Sequence, residues 1–297
     1  RVDSWRADRQ AFDIHRGWSS GLRGDWTRRW TAGFRYDRAR FAPADTALVG
    51  PLPDDRTLAL PYMRLDLLQD DYVTAHNLDQ IGRTEDLRFG TQLSAELGVS
   101  QAALGANRNA FVASLGASRG YRLVHEQSLF LAGSWGSRLE GGSLRDSLLS
   151  VSSRYFWRAS GKTVLFVGFA ADKGSALDLD HELMLGGDTG LRGYPLRYQT
   201  GTARALLTVE GRYFTNWYPL RLARVGAAVF ADIGRTWGAS ALAVPELGTL
   251  RDVGIGLRFG NTRSALGNVL HVDLAFPLDG DPSVKSMQFL LKTYKSF

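Results

Sequence analysis

Apolar and polar residues alternate with a period of two along most of this chain, and the alternation restricts the folds that it can adopt. In RALLTVEGRYF (204–214), for example, Val209 falls on one face and Glu210 on the other. Leu207 repeats the apolar face and Arg212 repeats the polar face. This period is typical of β-strands, because successive side chains of a strand point to opposite sides. Few stretches show the spacings of three and four that an amphipathic helix requires, so the sequence predicts an all-β protein.

The alternation predicts about twelve strands, spaced regularly along the chain. They lie near residues 20–42, 58–75, 84–100, 109–123, 126–139, 144–158, 161–174, 204–214, 222–237, 252–260, 269–276 and 286–297. Residues 1–19 are either a lead-in segment or an extra strand. So many regularly spaced strands indicate either a sandwich or a barrel. Periodicity alone leaves a water-soluble sandwich of two sheets open beside the barrel.

Strand length and face chemistry favour a membrane barrel over residues 20–297. The segments are close to the nine to eleven or so residues with which a tilted strand crosses a bilayer. One face is continuously apolar, and the other carries glycine, arginine and carboxylates, as the wall of a wet lumen does. Short and long connections also alternate, as in outer-membrane barrels: 43–57, 158–162, 175–201, 216–221 and 238–249. We therefore predict a transmembrane antiparallel β-barrel.

The longest of these connections contains LGGDTGLRGY (185–194), a glycine-rich stretch with one arginine at its tip. Gly186 and Gly187 permit tight backbone turns, and Gly193 permits close approach to another surface. Arg192 is a long cation on this tip. The spacing leaves two interpretations open, an ordinary solvated arginine and a cation folded back into the barrel.

A cation inside the barrel needs carboxylate partners, because an unpaired buried charge is costly. Glu210 and Asp232 are candidates, since the next two strands carry them on their polar faces. A guanidinium can fork onto carboxylates and would hold the loop in place.

Three ordered motifs carry a family resemblance over roughly residues 180–297: LGGDTGLRGY, then VEGRYF (209–214), then AVFADIGRTWG (228–238). The series resembles the superfamily of outer-membrane barrels that insert or translocate polypeptides, the bacterial surface antigen family. This superfamily includes the central barrel of the β-barrel assembly machinery, the barrel of the translocation-and-assembly module and the two-partner-secretion transporters.

The resemblance implies that residues 185–201, called here the Arg-Gly-Tyr loop, fold into the lumen. Its implied loop positions are Gly186, Gly187, Arg192, Gly193 and Tyr194. Asp232 is the first implied partner of the arginine and Glu210 the second. The implied wall positions are Glu210, Arg212, Phe230, Asp232 and Gly234. The last strand, 286–297, resembles the family's closing strand, whose signal positions are Phe289, Leu291, Thr293, Lys295 and Phe297.

The strand number departs from the family pattern. Family barrels have sixteen strands, eleven of them ahead of this loop, whereas about eight precede the loop here and five follow it. We therefore expect either a shorter barrel of about twelve strands or a sixteen-stranded barrel with strands upstream of Arg1. The family's periplasmic polypeptide-binding modules have no counterpart in this sequence.

Other chemistry is weakly represented in the sequence. The net charge of +6 is spread along the chain without a basic run interleaved with aromatics, so we expect no nucleic-acid partner. The chain has no cysteine, which excludes disulfides and thiolate metal sites.

GASRG (116–120) matches a serine nucleophile motif at Ser118, with His125 downstream, but it lies within a strand pattern. LDLDHELM (177–184) lacks metal-ligand spacing. We expect no catalytic residue, no metal and no cofactor.

The predicted function is that of a bacterial outer-membrane barrel acting in membrane insertion or translocation of polypeptides, with the Arg-Gly-Tyr loop plugging and bracing the lumen. Its expected partners are membrane lipids, lipopolysaccharide and a polypeptide client. Three alternatives stay open from sequence: a two-partner-secretion transporter, a small-solute channel, and a membrane anchor for an upstream domain such as a hydrolase.

Overall fold

Thirteen antiparallel strands form one sheet in this computed structural model. The structure describes residues 5–44, 51–124, 126–239, 247–261, 268–280, 282 and 284–295. The strands of this main sheet are β1 (Trp5–Arg23), β2 (Trp26–Pro43), β3 (Arg56–Gln69), β6 (Gln92–Ser100), β7 (Ala110–Arg122), β8 (Gln127–Glu140), β9 (Ser143–Arg158), β10 (Thr163–Ser175), β13 (Ala203–Phe214), β14 (Ala223–Trp237), β15 (Leu250–Asn261), β16 (Asn268–Pro277) and β17 (Gln288–Lys295). Each strand pairs with its neighbours in that order, and β1 and β17 are the outermost strands of the described sheet.

Four shorter strands form two hairpins outside the main sheet. β4 (Tyr72–His76) pairs with β5 (Thr84–Arg88), and β11 (Leu183–Leu185) pairs with β12 (Gln199–Gly201). The helical segments of the described chain are single 3-10 turns: Ala102–Leu104, Leu179–His181 and Pro219–Arg221. No helix within the described ranges is long and apolar enough to cross a membrane.

The structure confirms the all-β antiparallel class and corrects three strand boundaries. The predicted strand 20–42 is wrong at its start, because the chain turns at Gly24 and residues 20–23 belong to β1. The predicted strands 58–75 and 84–100 each run from the main sheet into the β4–β5 hairpin. Alternation marks an extended backbone, but it carries no information about which sheet that backbone joins.

The sheet has two chemically distinct faces. Glu210, Phe230, Gly254 and Ala275 lie side by side on four adjacent strands, on what we call the inner face. The opposite, outer face is apolar and uncovered, and Val229 at its centre is 61% exposed. Further exposed apolar side chains on this face include Met63, Leu97, Leu115, Leu131, Leu149, Val151, Phe169, Val209, Tyr213, Ile255 and Leu257. The amphipathic pattern of the sequence thus separates into two surfaces.

Antiparallel order places successive connections at alternate ends of the sheet. The Arg-Gly-Tyr loop lies at the end that we call upper, between β10 and β13. Residues 70–91, called here the hairpin insert, lie at the opposite, lower end between β3 and β6. Both segments turn back against the inner face, because their buried side chains contact residues of that face. Two connections from opposite ends therefore lie against the inner face of the sheet.

Candidate functional site

The start of the Arg-Gly-Tyr loop is a compact turn built on Gly186. Its carbonyl oxygen accepts N–H bonds from Thr189, Gly190 and Leu191, each at 3.0 Å. Its own N–H donates to the Thr189 hydroxyl at 2.8 Å. A Cβ at Gly186 would lie 2.3 Å from the Pro195 carbonyl oxygen, so the turn closes only with glycine. This turn directs the following residues toward the inner face.

Arg192 is buried against the inner face and forks onto Asp232. Its Nε donates to Asp232 Oδ2 at 2.7 Å and its Nη2 donates to Oδ1 at 3.1 Å. Its Nη1 donates to Glu210 Oε2 at 2.9 Å. Although burial acts in the opposite direction, these two carboxylates raise the pKa of Arg192 above its ordinary value. The guanidinium is therefore a permanently charged contact between the loop and two strands.

The surroundings of this contact fix the geometry of both charges. The Arg192 guanidinium carbon lies 3.3 Å from the centroid of the Phe230 ring, in a cation–π arrangement. The hydroxyl of Thr208 donates to Asp232 Oδ1 at 2.7 Å. Such stacking and bidentate pairing use the planar guanidinium, and a lysine cannot reproduce them.

Glu210 is the centre of a larger network and accepts hydrogen bonds from three arginines. Besides Arg192, Arg212 Nε donates to Oε1 at 2.9 Å and Arg258 Nη2 donates to Oε2 at 3.0 Å. Arg258 also contacts Asp273, whose Oδ2 lies 3.4 Å from Arg192 Nη1. Sequence analysis left Arg258 and Asp273 out of the site. The alternation of apolar and polar residues in their strands placed both side chains on the polar face, and this was the sequence signal that could have identified them.

Gly193 and Tyr194 hold the tip of the loop at the upper edge of β15. A Cβ at Gly193 would lie 2.5 Å from the Asp252 Cβ, so only glycine allows this close approach. The Tyr194 phenol oxygen lies 2.8 Å from the carbonyl oxygens of both Arg251 and Asp279. It also accepts the Asp279 N–H at 3.2 Å. Since a phenol has one proton, it donates to one of the two carbonyls at a time.

The remaining wall and loop glycines lie where the loop packs most closely. A Cβ at Gly187 would lie 2.9 Å from the Tyr194 carbonyl oxygen. A Cβ at Gly234 would meet the Ala205 carbonyl oxygen at 3.1 Å and Leu185 at 3.2 Å. A small buried apolar cluster surrounds these contacts: Leu185, Leu191, Tyr194 and Leu250. The loop is thus held by packing as well as by charge.

Arg212 connects this network to the hairpin insert. Its Nη1 donates to Asp79 Oδ1 at 2.7 Å and lies 3.4 Å from the Leu78 carbonyl oxygen. Its guanidinium carbon lies 4.6 Å from the centroid of the Phe166 ring. No sequence feature indicated the Asp79 contact, because the partners are 133 residues apart and Asp79 lies between the predicted strands 58–75 and 84–100.

Glu85 closes the tip of the hairpin insert. Its carboxyl group accepts the Leu78 N–H at 2.8 Å and the Asp79 N–H at 3.0 Å. Burial raises the pKa of Glu85 to about 7, and the negative charge of Asp79 acts in the same direction. Hydrogen bonds from the backbone oppose this shift without cancelling it. The folded insert therefore binds the Glu85 proton more tightly than the unfolded segment does.

The hairpin insert is accordingly expected to loosen as pH rises. A raised carboxyl pKa gives the greatest stability below the unfolded value of 4.5, and this stability is lost as pH rises through about 7. The loss amounts to roughly 3 kcal/mol at most. Hydrogen exchange of residues 77–83, normalised to intrinsic rates, should show protection falling between pH 5 and pH 9 or so. Glu85→Gln should abolish this pH dependence, and Asp86→Asn on the exposed side of β5 should retain it. An equal pH dependence in Glu85→Gln would contradict the assignment.

The signal positions of the last strand lie mostly on the outer face. Phe289 and Leu291 are each 64% exposed, and Thr293 is opposite Leu270 in the register. Lys295 is the last residue of β17, and Phe297 lies outside the described residues. On the inner side, Lys292 Nζ donates to the Asp188 carbonyl oxygen at 2.8 Å, which ties β17 to the Arg-Gly-Tyr loop.

The acidic stretch 177–184 is bound by arginines at the upper end. Asp178 accepts from Arg138 at 2.9 Å and also contacts Arg56. Ligand atoms of Asp146, Asp178 and His181 lie within 4.8 Å of one another. The arginines already satisfy these carboxylates, so the arrangement is an ion-pair network.

Ser118 lies within β7 and not at a strand-to-helix turn, which is the geometry its motif needs. His125 lies outside the described residues.

Comparison with solved structures identifies barrels with the same fold. CdiB from Escherichia coli is 15% identical, with a TM-score of 0.54, over 95% of this chain and 52% of that chain. CdiB from Acinetobacter baumannii is 14% identical, with a TM-score of 0.50, over 95% of this chain and 51% of that chain. The chain thus spans about half the length of these structures. No family model matches the sequence, and no curated protein does. The similarity confirms the predicted resemblance at the level of the fold.

Proposed function

We propose that this chain is the transmembrane barrel of a bacterial outer-membrane protein that inserts or translocates polypeptides. In this proposal the Arg-Gly-Tyr loop plugs and braces the lumen. The observation that carries it is the buried contact of Arg192 with Asp232 and Glu210 on the inner face. The CdiB fold and the three sequence motifs support the same conclusion.

The outer face supports a membrane location. Soluble monomers rarely expose contiguous apolar patches beyond a few hundred Å². Here exposed apolar side chains recur on β3, β6 to β10 and β13 to β17, with Val229 and Ile255 near the centre. In the strands between β1 and β17, pairing on both sides satisfies the backbone N–H and C=O groups, which a hydrocarbon environment requires. Membrane lipids and lipopolysaccharide are accordingly the partners proposed for this face.

The inner face supports a plugged conduit over an open solute channel. Its central charges are used up in ion pairs with one another: Arg192, Glu210, Arg212, Asp232, Arg258 and Asp273. A solute channel selects ions with charged side chains that line open water. A conduit for extended polypeptide instead needs a plug that can leave the lumen. The Arg-Gly-Tyr loop is held there by side-chain contacts, which can break while the strands stay paired. We propose no catalytic role and no cofactor for these residues.

The function is tested with protein reconstituted in phospholipid vesicles and an unfolded outer-membrane barrel precursor added outside. Insertion predicts faster folding of the precursor into the vesicle membrane than in protein-free vesicles. Translocation predicts precursor that becomes protected from added protease. The control uses the same vesicles with a variant whose Arg-Gly-Tyr loop is joined to β14 by an engineered disulfide. Precursor behaviour identical to that in protein-free vesicles would contradict the proposal.

A further inference from the structure

We propose that the hairpin insert, residues 70–91, is a second plug that closes the lumen from the lower end, in series with the Arg-Gly-Tyr loop. The proposal rests on the proposed function in one respect, namely that the inner face surrounds a lumen. The position of the insert on that face is independent of what the barrel transports.

The insert crosses the enclosed space from one side of the sheet to the other. It leaves and rejoins the sheet at β3 and β6, where Arg122 of neighbouring β7 pairs with Asp71. Its tip residue Ile81 reaches β14 and β15, six and seven strands from β6 in sheet order. There it would contact a Cβ placed at Gly226 at 3.3 Å and one at Gly260 at 3.0 Å. The glycines on these two strands therefore make room for the tip.

An apolar seat holds the insert in this position. Four buried side chains of the insert pack on five buried side chains from β8, β9, β10, β13 and β16. The members of this cluster are Leu78, Ile81, Leu87, Phe89, Phe130, Phe156, Val164, Phe214 and Val269. Removing these apolar side chains from water stabilises the folded position of the insert. A solvated lower connection would leave these residues in water.

Polar contacts fasten the same segment to the lower edge of the sheet. Arg158 Nη1 donates to the His76 carbonyl oxygen at 3.1 Å, and Asn77 Nδ2 donates to that of Gly161 at 3.4 Å. Arg83 Nη1 donates to the Asn261 carbonyl oxygen at 3.3 Å. These contacts lie on two lower connections, β9–β10 and β15–β16, so the insert is tied to the lower edge at two separate places.

The two inserts face each other across a cavity of about 410 Å³ on the inner face. Thr189 and Arg192 of the loop border the cavity on one side, and Asp79 of the hairpin insert borders it on another. Arg212 contacts both the Asp79 carboxylate and Glu210, and Glu210 in turn accepts a hydrogen bond from Arg192, so two wall side chains link the two plugs. Two barriers in series predict that removing either one leaves the other to limit passage.

The position of the insert is tested by cysteine labelling, which the cysteine-free sequence allows without background. Leu87→Cys places a thiol in the apolar seat, where a charged, water-soluble maleimide should react slowly. Adding Ile81→Ala should raise the labelling rate about 30-fold or more, since truncating a buried isoleucine costs 2 kcal/mol or more. Asp79→Asn should raise it as well, by freeing the tip from Arg212. Val73→Ala, an exposed position of β4, is the matched control and should leave the rate unchanged. Fast labelling of Leu87→Cys without a second substitution would contradict the burial of the insert in the apolar seat.

Current through planar bilayers then tests closure. Ile81→Ala combined with Arg192→Ala should pass far more current than the sum of the two single variants, because each single variant retains one barrier. If the combined variant labels rapidly but conducts only as much as Arg192→Ala, the second plug is overturned and the proposed role of the loop stands. If even the combined variant passes no current, both the second plug and the plugged-lumen function are overturned. Heat-modified migration on gels reports whether each variant has folded.

Discussion

In protein whose hairpin insert is already unseated by Ile81→Ala, adding Arg192→Ala is expected to produce fluctuating current across a planar lipid bilayer, under conditions in which the wild type and Ile81→Ala stay nearly silent. The substitution leaves Asp232 and Glu210 buried without the cation that joins them to the loop. Removing one partner of a buried ion pair typically costs about 3–5 kcal/mol. The loop should therefore detach repeatedly and open the upper side of the lumen. Current steps in bilayers and the midpoint of urea unfolding in detergent measure the two effects.

Arg197→Ala is the matched control for this experiment. Arg197 belongs to the same loop, but its side chain is half-exposed and its Nε lies 3.9 Å from the nearest Asp188 carboxylate oxygen. An exposed pair contributes about 1 kcal/mol at most, so adding Arg197→Ala to Ile81→Ala should leave both current and stability close to those of Ile81→Ala alone. Arg192→Lys should restore only part of the closure, since an ammonium cannot fork onto Asp232. Equal currents in Ile81→Ala and in the variant that also carries Arg192→Ala would count against the clamp.

Glu210→Gln is expected to be the most destabilising single change on the inner face. The wild-type carboxylate accepts hydrogen bonds from Arg192, Arg212 and Arg258, and all four side chains are buried. The amide keeps the shape but removes the charge, so three guanidinium groups lose a shared counter-ion in a low-dielectric space. We expect a loss of at least about 3–5 kcal/mol in the free energy of unfolding, because more than one pair is broken.

Glu96→Gln separates this network effect from the loss of any inner-face carboxylate. Glu96 lies on β6 and pairs with one arginine, Arg35, at 2.7 Å. That arginine retains Asp13 at 3.0 Å, so the expected loss is much smaller. Urea unfolding followed by gel migration compares the two variants under one set of conditions. Similar losses for both would argue that Glu210 is an ordinary wall residue.

In the proposed transport function, the Arg-Gly-Tyr loop and the hairpin insert are the two segments that move out of the lumen. Each is seated mainly by side-chain contacts. The main-chain bond from the Gly120 N–H to the Phe89 carbonyl oxygen lies at the base of the hairpin insert, so the tip of the insert can leave without breaking strand pairing. The loop depends mainly on charge, through Arg192, and the hairpin insert depends mainly on apolar burial, through Ile81 and Leu87. Salt should therefore weaken the first hold more than the second, although burial limits the screening.

Much of the fold could be predicted from the sequence, because every second side chain of a strand points to the same face of the sheet. The alternation around Val209 and Glu210 assigned the correct faces of β13, and the same pattern did so for β15 and β16. The pattern failed where an extended segment leaves the sheet. Residues 72–76 and 84–88 alternate like their neighbours, yet they pair only with each other.

The candidate site divides in the same way. Sequence motifs drew attention to Arg192, Asp232 and Glu210, which the structure places in contact. The partnership of Glu210 with Arg258 and of Arg212 with Asp79 had no motif, since nothing local links residues 48 or 133 positions apart.

By itself, then, the sequence determined which residues are extended, which face each side chain takes and where a charged loop tip occurs. These are local properties, set by the two-residue repeat of a strand and by glycine at tight turns. Two features appear only in the three-dimensional structure: a second connection turns inward from the lower end, and Glu210 accepts hydrogen bonds from three arginines. Both depend on distances across the enclosed space, and these follow from how the whole sheet curves and pairs.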